Sequence, residues 1–197
     1  MAHSVLYIGG TGQISLPCVE QSLAAGHKVT VLNRGRANAG LPKGVEVVVG
    51  DTHAPDGYAA LTGNFDTVCQ FILFTPEHMS RDIAAFTGRT GQYVFISSAS
   101  VYEKPARHYV ITEETPAINP YWEYSQKKIA AEKLLQDQSK LPWTIVRPSH
   151  TTRSGLPTMM NDGDLTGQRL LAGKPILVCG DGTTPWTLTR SVDFAVP

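Results

Sequence analysis

Short, nearly continuous apolar runs alternate along the chain with segments of helical spacing. The runs are rich in valine, isoleucine and aromatic residues, and they fall at residues 5–8, 28–32, 45–49, 67–74, 93–97 and 143–147. Uninterrupted runs of strand length are typical of strands that are buried on both faces of a parallel sheet. The pattern therefore predicts six buried parallel strands.

Three segments between these runs predict helices, at residues 13–25, 78–90 and 121–138. The first ends before Gly26, a residue suited to a helix C-terminus. In the third, Leu134 and Leu135 are expected to face the core and Glu132 to face solvent. The alternation of strand and helix predicts an α/β fold of the Rossmann type, a doubly wound parallel sheet with right-handed crossovers.

The pattern changes after the last apolar run, where turn-forming residues dominate. Such a segment suits a lobe laid over the edge of the sheet better than another crossover. We predict a dinucleotide-binding sheet domain over residues 1–148 and the start of a small C-terminal substrate lobe over residues 149–197.

Composition narrows the class of protein. Apolar residues make up 42% and charged residues 17%, as in an ordinary globular protein. The 17 basic and 17 acidic residues cancel, which disfavours a nucleic-acid binder that works by bulk charge. Three distant cysteines, no targeting pattern and no apolar run near about 18 residues predict a cytoplasmic protein outside the membrane. The histidines are scattered, so we expect no metal site.

The segment "GGTGQIS", residues 9–15, joins the first predicted strand to the first predicted helix. In that position it matches a dinucleotide-binding turn. Gly9 permits the tight turn, and Gly12 lets the backbone approach a pyrophosphate, which the helix N-terminus would attract. Ser15 stands where a third glycine is usual, so we expect slightly looser packing there. The alternative is a β–α turn without a ligand.

The second strand ends in "VLNRGR", which bears on the choice of dinucleotide. A carboxylate at this point would bind the ribose hydroxyls and repel a 2′-phosphate. The chain instead has neutral Asn33 followed by Arg34 and Arg36, and guanidinium groups pair well with phosphate. NADP is therefore favoured over NAD, unless the arginines are merely solvated. After the third strand, Asp51 is expected either to accept from the adenine amino group or to cap a following helix.

Three residues have the chemistry of a hydride-transfer site. Ser98 ends the fifth predicted strand, at the sheet edge where open α/β sheets bind ligands. Tyr124 and Lys128 lie four residues apart on one helix face. Tyr124 could exchange a proton with a substrate hydroxyl, while the Lys128 ammonium would favour the phenolate and hold the nicotinamide ribose. The alternative is a strand-end serine beside an exposed helix pair.

These motifs, together with "FISSASVY", "YSQKK", "IVRPS" and "VDFA", resemble the extended or atypical short-chain dehydrogenases/reductases of the NAD-dependent epimerase/dehydratase family. The order is most similar to the branch that includes the chloroplast stem-loop RNA-binding proteins. The resemblance implies a bound NAD(P), catalytic roles for Ser98, Tyr124 and Lys128, and a homodimer through the long helices. It also implies that Pro148 and His150 lie near the nicotinamide or the substrate.

The predicted cofactor-binding residues are Gly9, Thr11, Gly12, Gln13, Ile14, Asn33, Arg34, Arg36, Asp51, Thr52, Phe71, Ile72, Leu73, Lys128, Pro148 and His150. The predicted substrate-binding residues are Ser100, Tyr102 and Arg153, although a surface position is the alternative for Arg153. In the family "VDFA" is followed by much more chain, so we expect the substrate lobe to lack about a hundred residues and to be incomplete.

The sequence therefore predicts an NAD(P)-dependent epimerase, dehydratase or reductase. It would act by hydride transfer at a hydroxyl or keto carbon of a small metabolite such as a nucleotide sugar. The alternative from another class is a non-catalytic NAD(P)-sensing or RNA-binding protein on the same fold.

Overall fold

The computed structural model describes residues 1–153, 164–183 and 186–196 of the 197-residue chain. The six strands of its main sheet are β1 (Ser4–Ile8), β2 (Lys28–Asn33), β3 (Glu46–Val49), β4 (Phe65–Gln70), β5 (Thr90–Ile96) and β6 (Trp143–Val146). All neighbouring strands are parallel, and their spatial order is β3-β2-β1-β4-β5-β6. This is the Rossmann order, in which the winding reverses between β1 and β4. The predicted fold class is confirmed.

The helices of the described residues are α1 (Ser15–Ala24), α2 (Pro76–Phe86), α3 (Glu123–Gln138), α4 (Leu165–Leu171) and α5 (Ser191–Phe194). A second, two-stranded parallel sheet joins β7 (His150–Thr152) to β8 (Leu188–Arg190). None of the helices in these ranges is both long and apolar enough to cross a membrane. The proposed boundary between residues 148 and 149 stays a prediction.

Buried apolar side chains cover both faces of the central strands. One face carries a cluster that includes Leu6, Ile8, Val68, Phe86, Phe95 and Leu135. The opposite face carries a smaller cluster formed by Val5, Tyr7, Val19, Val29 and Val31. Alternate residues of β1 contribute to each cluster, as the two-residue period of a strand requires. The central strands of the sheet therefore lie between two clusters of buried apolar side chains.

The two edge strands depart from the prediction of full burial. Val49 in β3 is 60% exposed, and Trp143 in β6 is 38% exposed. An apolar run indicates a strand, but it does not show whether anything packs over each face of that strand.

The connection between β3 and β4 contains turns instead of a helix, over residues 50–64. The proposed helix cap at Asp51 is therefore wrong. Its Oδ1 accepts from the backbone N–H of His53, 3.1 Å away, in a local turn. Tyr58 and Leu61 from this segment pack on the core where a crossover helix would otherwise lie, and the Tyr58 ring is 5.3 Å from that of Phe86.

Glu132 on α3 faces inward, contrary to the prediction. Its carboxylate is buried and accepts two hydrogen bonds from the Arg147 guanidinium, at 3.1 and 2.6 Å. The guanidinium in turn lies 4.9 Å from the centre of the Tyr102 ring. A charge paired in this way tolerates burial, so helical periodicity alone does not place it.

Candidate active site

The turn after β1 is held closed by a side chain. Gly9 has a φ of 84°, and a Cβ at this residue would lie 2.5 Å from Cγ2 of Ile72. The Ser15 hydroxyl donates to the Gly9 carbonyl at 2.6 Å and accepts from the Gly12 N–H at 2.9 Å. Ser15 therefore braces the turn instead of loosening it, because a glycine at this position would make neither bond.

A cavity of about 280 Å³ opens beside this turn, along the ends of β1, β2 and β3. Its lining includes the predicted residues Gly9, Thr11, Gly12, Asn33, Arg34, Arg36, Asp51, Thr52 and Ile72. We call it the turn cavity. Asn33 and Thr52 are both more than nine-tenths buried, and neither Nδ2 of Asn33 nor Oγ1 of Thr52 has a hydrogen-bond partner. Buried polar atoms without partners call for a ligand or water.

A second cavity of about 240 Å³ lies at the ends of β4, β5 and β6, and we call it the hydroxyl cavity. Ser98, Tyr124 and Lys128 all line it, so the three predicted catalytic residues come together. Ile14, Phe71, Pro148 and His150 line it as well, as predicted. Phe74 lines both cavities, which places them side by side along the carboxyl edge of the sheet.

Three serines form a hydrogen-bonded chain behind the hydroxyl cavity. Ser125, fully buried at the start of α3, donates to the Ser100 hydroxyl at 2.8 Å. The Ser100 and Ser98 hydroxyls are 2.9 Å apart, and Ser98 also accepts from the Ser100 N–H at 3.2 Å. If the Ser100 proton points to Ser98, the Ser98 proton is free to point into the cavity. Ser100, predicted to bind substrate, lines neither cavity because both neighbouring serines engage its hydroxyl.

Tyr124 and Lys128 are both perturbed by burial. Burial raises the pKa of Tyr124, and a hydrogen bond with Ser98 opposes that rise. Burial lowers the pKa of Lys128 to about 7, opposed by the charge of Glu132. The Lys128 Nζ donates to the Ile96 carbonyl at 2.9 Å and lies over the Phe74 ring, 5.0 Å from its centre. The net shift of the Tyr124 pKa is therefore upward, whereas the sequence predicted a lowering by the lysine.

Four other predicted residues have different surroundings. Gln13 donates from Nε2 to the Thr151 carbonyl, 2.8 Å away, and so links the glycine turn to β7. Leu73 is fully buried in the larger core cluster, so its side chain belongs to the core and not to a cavity wall. Tyr102 packs against Arg147, and Arg153 is exposed; neither lines the two cavities.

Comparison with known proteins places this chain in a family. Residues 9–169 match the model of a family described as NAD(P)H-binding. The chain belongs to this NAD(P)H-binding family. The match confirms the predicted likeness to short-chain dehydrogenases at the level of an NAD(P)-binding Rossmann fold. The closer likeness to the chloroplast stem-loop branch stays a prediction.

Individual relatives of this NAD(P)H-binding chain are enzymes. It is similar to the 2′-dehydrokanamycin reductase of Streptomyces kanamyceticus, with 28% identity over 207 aligned positions that cover 96% of this chain. The chain spans only 55% of the length of that reductase.

Among the solved structures that share the fold, two illustrate the match. A UDP-N-acetylglucosamine 4-epimerase from Methanobrevibacter ruminantium M1, in complex with UDP-N-acetylmuramic acid, has a TM-score of 0.77 and 17% identity. The match covers 98% of this chain and 71% of that one. The Bordetella bronchiseptica enzyme WbmH, in complex with NAD⁺, has a TM-score of 0.75 and 20% identity, with coverage of 99% and 70%.

The residues of this family member fit a dinucleotide. Gly9, Thr11 and Gly12 line the turn cavity, so the backbone of the glycine turn can be approached from that cavity. The unpartnered Asn33 and Thr52 atoms supply polar contacts on the adjacent wall. Within the described ranges, no group of three or more histidine, cysteine or acidic side chains could hold a metal ion.

Sequence reasoning missed several cavity residues, of which Phe74 and His53 are the clearest. Phe74 belongs to the apolar run 67–74, which predicts a single strand. The strand ends at Gln70, whose side-chain Oε1 accepts from the Ile72 N–H at 2.9 Å and turns the chain. The polar Gln70 inside an apolar run was the available signal.

Proposed function

We propose that the chain carries an NADP(H)-dependent oxidoreductase site that interconverts a keto group and a hydroxyl group on a small, sugar-like metabolite. The observation that supports this most directly is that one cavity is lined by Ser98, Tyr124 and Lys128, beside a second cavity that is lined by the glycine turn. These are the donor and acceptor types that a reversible carbonyl reduction needs.

The protein side of the reaction follows from the hydrogen bonds. Tyr124 would donate a proton to the substrate carbonyl oxygen during reduction and take it back during oxidation. The Ser98 hydroxyl already accepts from the Ser100 N–H, and it would donate its own proton to the same substrate oxygen and orient it. When bound, the nicotinamide would supply or accept hydride at the substrate carbon.

Other residues would hold the cofactor. The backbone of Gly12, which lines the turn cavity, and the N-terminus of α1 would receive the pyrophosphate. Lys128 would bind the nicotinamide ribose, and its pKa of about 7 makes it able to donate either as an ammonium or as an amine. Phe71 and His150 would line the nicotinamide end of the cleft.

Our preference for NADP over NAD rests on the wall of the turn cavity formed by the end of β2. That wall offers two guanidinium groups, from Arg34 and Arg36, and the unpartnered Nδ2 donor of Asn33. All three are donors, whereas a ribose-binding carboxylate would be an acceptor. Asp51, on the β3 side of the cavity, is proposed to accept from the adenine amino group.

A ketone reductase is favoured over an epimerase or dehydratase by the relative with 28% identity, which is named a reductase of a dehydro-aminoglycoside. Epimerization of a nucleotide sugar remains the second candidate, supported by the fold shared with the UDP-sugar epimerase. A cytoplasmic location and a homodimer through α2 and α3 remain part of the proposal.

The test begins with binding. Titration followed by nicotinamide fluorescence should give micromolar Kd values, with NADPH bound at least tenfold more tightly than NADH. Arg34→Ala combined with Arg36→Ala should remove that difference. Failure of both cofactors to bind in the micromolar range would contradict the proposal. Strongly salt-dependent RNA binding that Tyr124→Phe leaves unchanged would favour the RNA-binding alternative.

Catalysis is then tested with NADPH and a panel of keto sugars, including keto-aminoglycosides. Tyr124→Phe should lower kcat by about 10²- to 10⁴-fold while leaving the Kd of NADPH unchanged. Tyr121→Phe is the matched control, because Tyr121 is 75% exposed and lines neither cavity. A product that is epimerised without net oxidation of NADPH would favour the second candidate.

A further inference from the structure

A fully buried carboxylate lies beneath the turn cavity. Asp82, on α2, accepts hydrogen bonds from three side chains that belong to three different parts of the chain. These are the Tyr58 hydroxyl from the 50–64 segment, Nε2 of Gln70 at the end of β4 (2.7 Å), and the Tyr93 hydroxyl on β5 (2.5 Å). Asp82 therefore ties the helix to both the sheet and the β3–β4 connection.

The charges around Asp82 are arranged to keep it ionised near neutral pH. Burial raises its pKa to about 6, against the lowering effect of its three donors and of Arg81. Burial also lowers the pKa of neighbouring His78 to about 4, so His78 is neutral, with Nε2 3.0 Å from the Tyr58 hydroxyl. A buried ion network of this kind is weak support for stability, since apolar residues of similar size often serve as well. Its geometric effect is the more informative feature.

One arm of the network reaches the glycine turn. Gln70 donates to Asp82 from Nε2 and accepts the Ile72 N–H at its Oε1, 2.9 Å away. Ile72 in turn lines the turn cavity and occupies the space that a Cβ on Gly9 would need. The amide plane of Gln70 therefore sets where Ile72 stands against Gly9.

The other arm reaches the opposite wall of the turn cavity. Tyr58, held by Asp82, lies in the segment that begins with Asp51, Thr52 and His53, all three of which line the cavity. Arg81, next to Asp82 on α2, donates from Nη2 to the Thr52 carbonyl at 3.2 Å. One turn of α2 thus anchors two walls that are far apart in sequence.

We propose that Asp82 is a positioning residue for the nucleotide cleft, fixing Ile72 against the glycine turn through Gln70 and fixing the Asp51–His53 segment through Tyr58. This inference rests on the proposed function, because it takes the turn cavity as the site of the adenosine half of the cofactor. Asp82 lines neither the turn cavity nor the hydroxyl cavity. Its role is to set cofactor affinity.

The test is Asp82→Asn, which keeps the shape of the side chain but places an amide donor among three donors. We expect the Kd of NADPH to rise about tenfold, while kcat at saturating NADPH stays within about twofold of wild type. Hydrogen exchange at the amides of Ile72, Thr52 and His53 should become faster. Leu135→Ala is the control: it removes a fully buried side chain of α3 that lines neither cavity. It should lower the Tm but leave the Kd and these amides unchanged.

Two variants that each remove one arm of the network keep the test decisive if Asp82→Asn does not fold: Gln70→Met loses the bonds to Asp82 and to the Ile72 N–H, and Tyr58→Phe loses the bonds to Asp82 and His78. Gln70→Met should accelerate exchange at Ile72 but not at Thr52, and Tyr58→Phe should do the reverse, each with about a threefold rise in Kd. The positioning role would be overturned if the Kd of NADPH is unchanged in the folded variants. It would also be overturned if their Kd rises no more than the Kd of Leu135→Ala when variants of equal Tm are compared. Wild-type protein that binds neither NADPH nor NADH would instead overturn the proposed function, and the exchange pattern would still report whether Asp82 holds the two walls.

Discussion

Lys128 illustrates how burial sets the charge of a single side chain. Its Nζ is almost completely removed from water, bonded to the Ile96 carbonyl and surrounded by the Phe74 and Phe95 rings. Ring faces and one carbonyl replace only part of the hydration that the ammonium loses, so the pKa falls from 10.5 to about 7. A group poised in this way can change charge within the physiological range.

This pKa gives a stability test with a definite sign. Between pH 7 and about 10, the unfolded chain keeps the Lys128 proton and the folded chain has lost it, so the wild type gains stability as pH rises. Lys128→Met lacks this titration. The stability of the variant relative to wild type should therefore fall by about 3–4 kcal/mol from pH 7 to pH 10, at about 1.4 kcal/mol for each pKa unit.

Urea unfolding across that pH range measures the effect. Lys127→Met is the control, because Lys127 is a half-exposed lysine on the same helix that pairs with Glu123 at 2.7 Å. The stability of Lys127→Met relative to wild type should not change with pH. If the stability of Lys128→Met relative to wild type is also independent of pH, Lys128 remains charged in the folded protein.

The serine chain makes a prediction at the same scale. Ser125→Ala removes the hydroxyl that donates to Ser100, so the Ser100 proton loses its preference for pointing to Ser98. We expect kcat for ketone reduction to fall about three- to tenfold with an unchanged Kd for NADPH, measured by steady-state kinetics. Ser80→Ala, at an exposed serine of α2, should change neither value. A loss of cofactor affinity without a loss of kcat would contradict this role.

At the scale of elements, the two glycines of the β1–α1 turn are needed for different reasons. Gly9 must be glycine because of its positive φ and the contact with Ile72, whereas Gly12 has no positive φ and lines the turn cavity. The first reason concerns folding and the second concerns the approach of a ligand. The sequence motif contains both glycines but does not distinguish their roles.

The two substitutions to alanine should therefore fail differently. Gly9→Ala should lower the free energy of unfolding by about 2–4 kcal/mol, because a strained φ and a core clash add. Gly12→Ala should cost less stability than Gly9→Ala but raise the Kd of NADPH at least tenfold, since the new Cβ would lie 3.1 Å from Ser15 Oγ, whose hydrogen bonds shape the turn that lines the cavity. Chemical denaturation and fluorescence titration on both variants measure the two effects. Equal losses of stability would contradict the division of roles.

At the scale of the whole molecule, local patterns predicted most of the fold. Each of the six apolar runs overlaps a strand of the main sheet, and each predicted helix overlaps α1, α2 or α3. These elements were accessible because an apolar run or a 3.6-residue period is a property of the segment itself. The site was accessible where a motif lies at a strand end, as for Gly9 and Ser98, or where helical spacing pairs two residues, as for Tyr124 and Lys128.

The failures share one physical cause, since each depends on what packs against a segment. The exposure of β3 and β6 depends on which strands form the edges of the sheet. The burial of Glu132 depends on Arg147, 15 residues away, and the surroundings of Leu73 depend on where β4 ends. The Asp82 network joins residues from 58 to 93 through side chains that follow no local motif. Only the tertiary structure brings these groups together.

The two neighbouring cavities predict how ligand fragments stabilise the whole protein. A fragment that fills the turn cavity alone should raise the Tm, because binding only to the folded chain adds stability as RT ln(1 + [L]/Kd). At about 100 times its Kd, adenosine 2′,5′-bisphosphate should add about 2.7 kcal/mol. For a chain of this size that corresponds to roughly 5–10 °C.

At the same concentration 5′-AMP should give a clearly smaller shift, because it lacks the 2′-phosphate that Arg34, Arg36 and the Asn33 Nδ2 would hold. The difference between the two fragments should shrink with added salt, since both arginines are exposed and their charges are screened. It should vanish in the Arg34→Ala and Arg36→Ala double variant. Equal shifts for the two fragments in the wild type would show that the end of β2 does not recognise a 2′-phosphate, and would favour NAD as the cofactor.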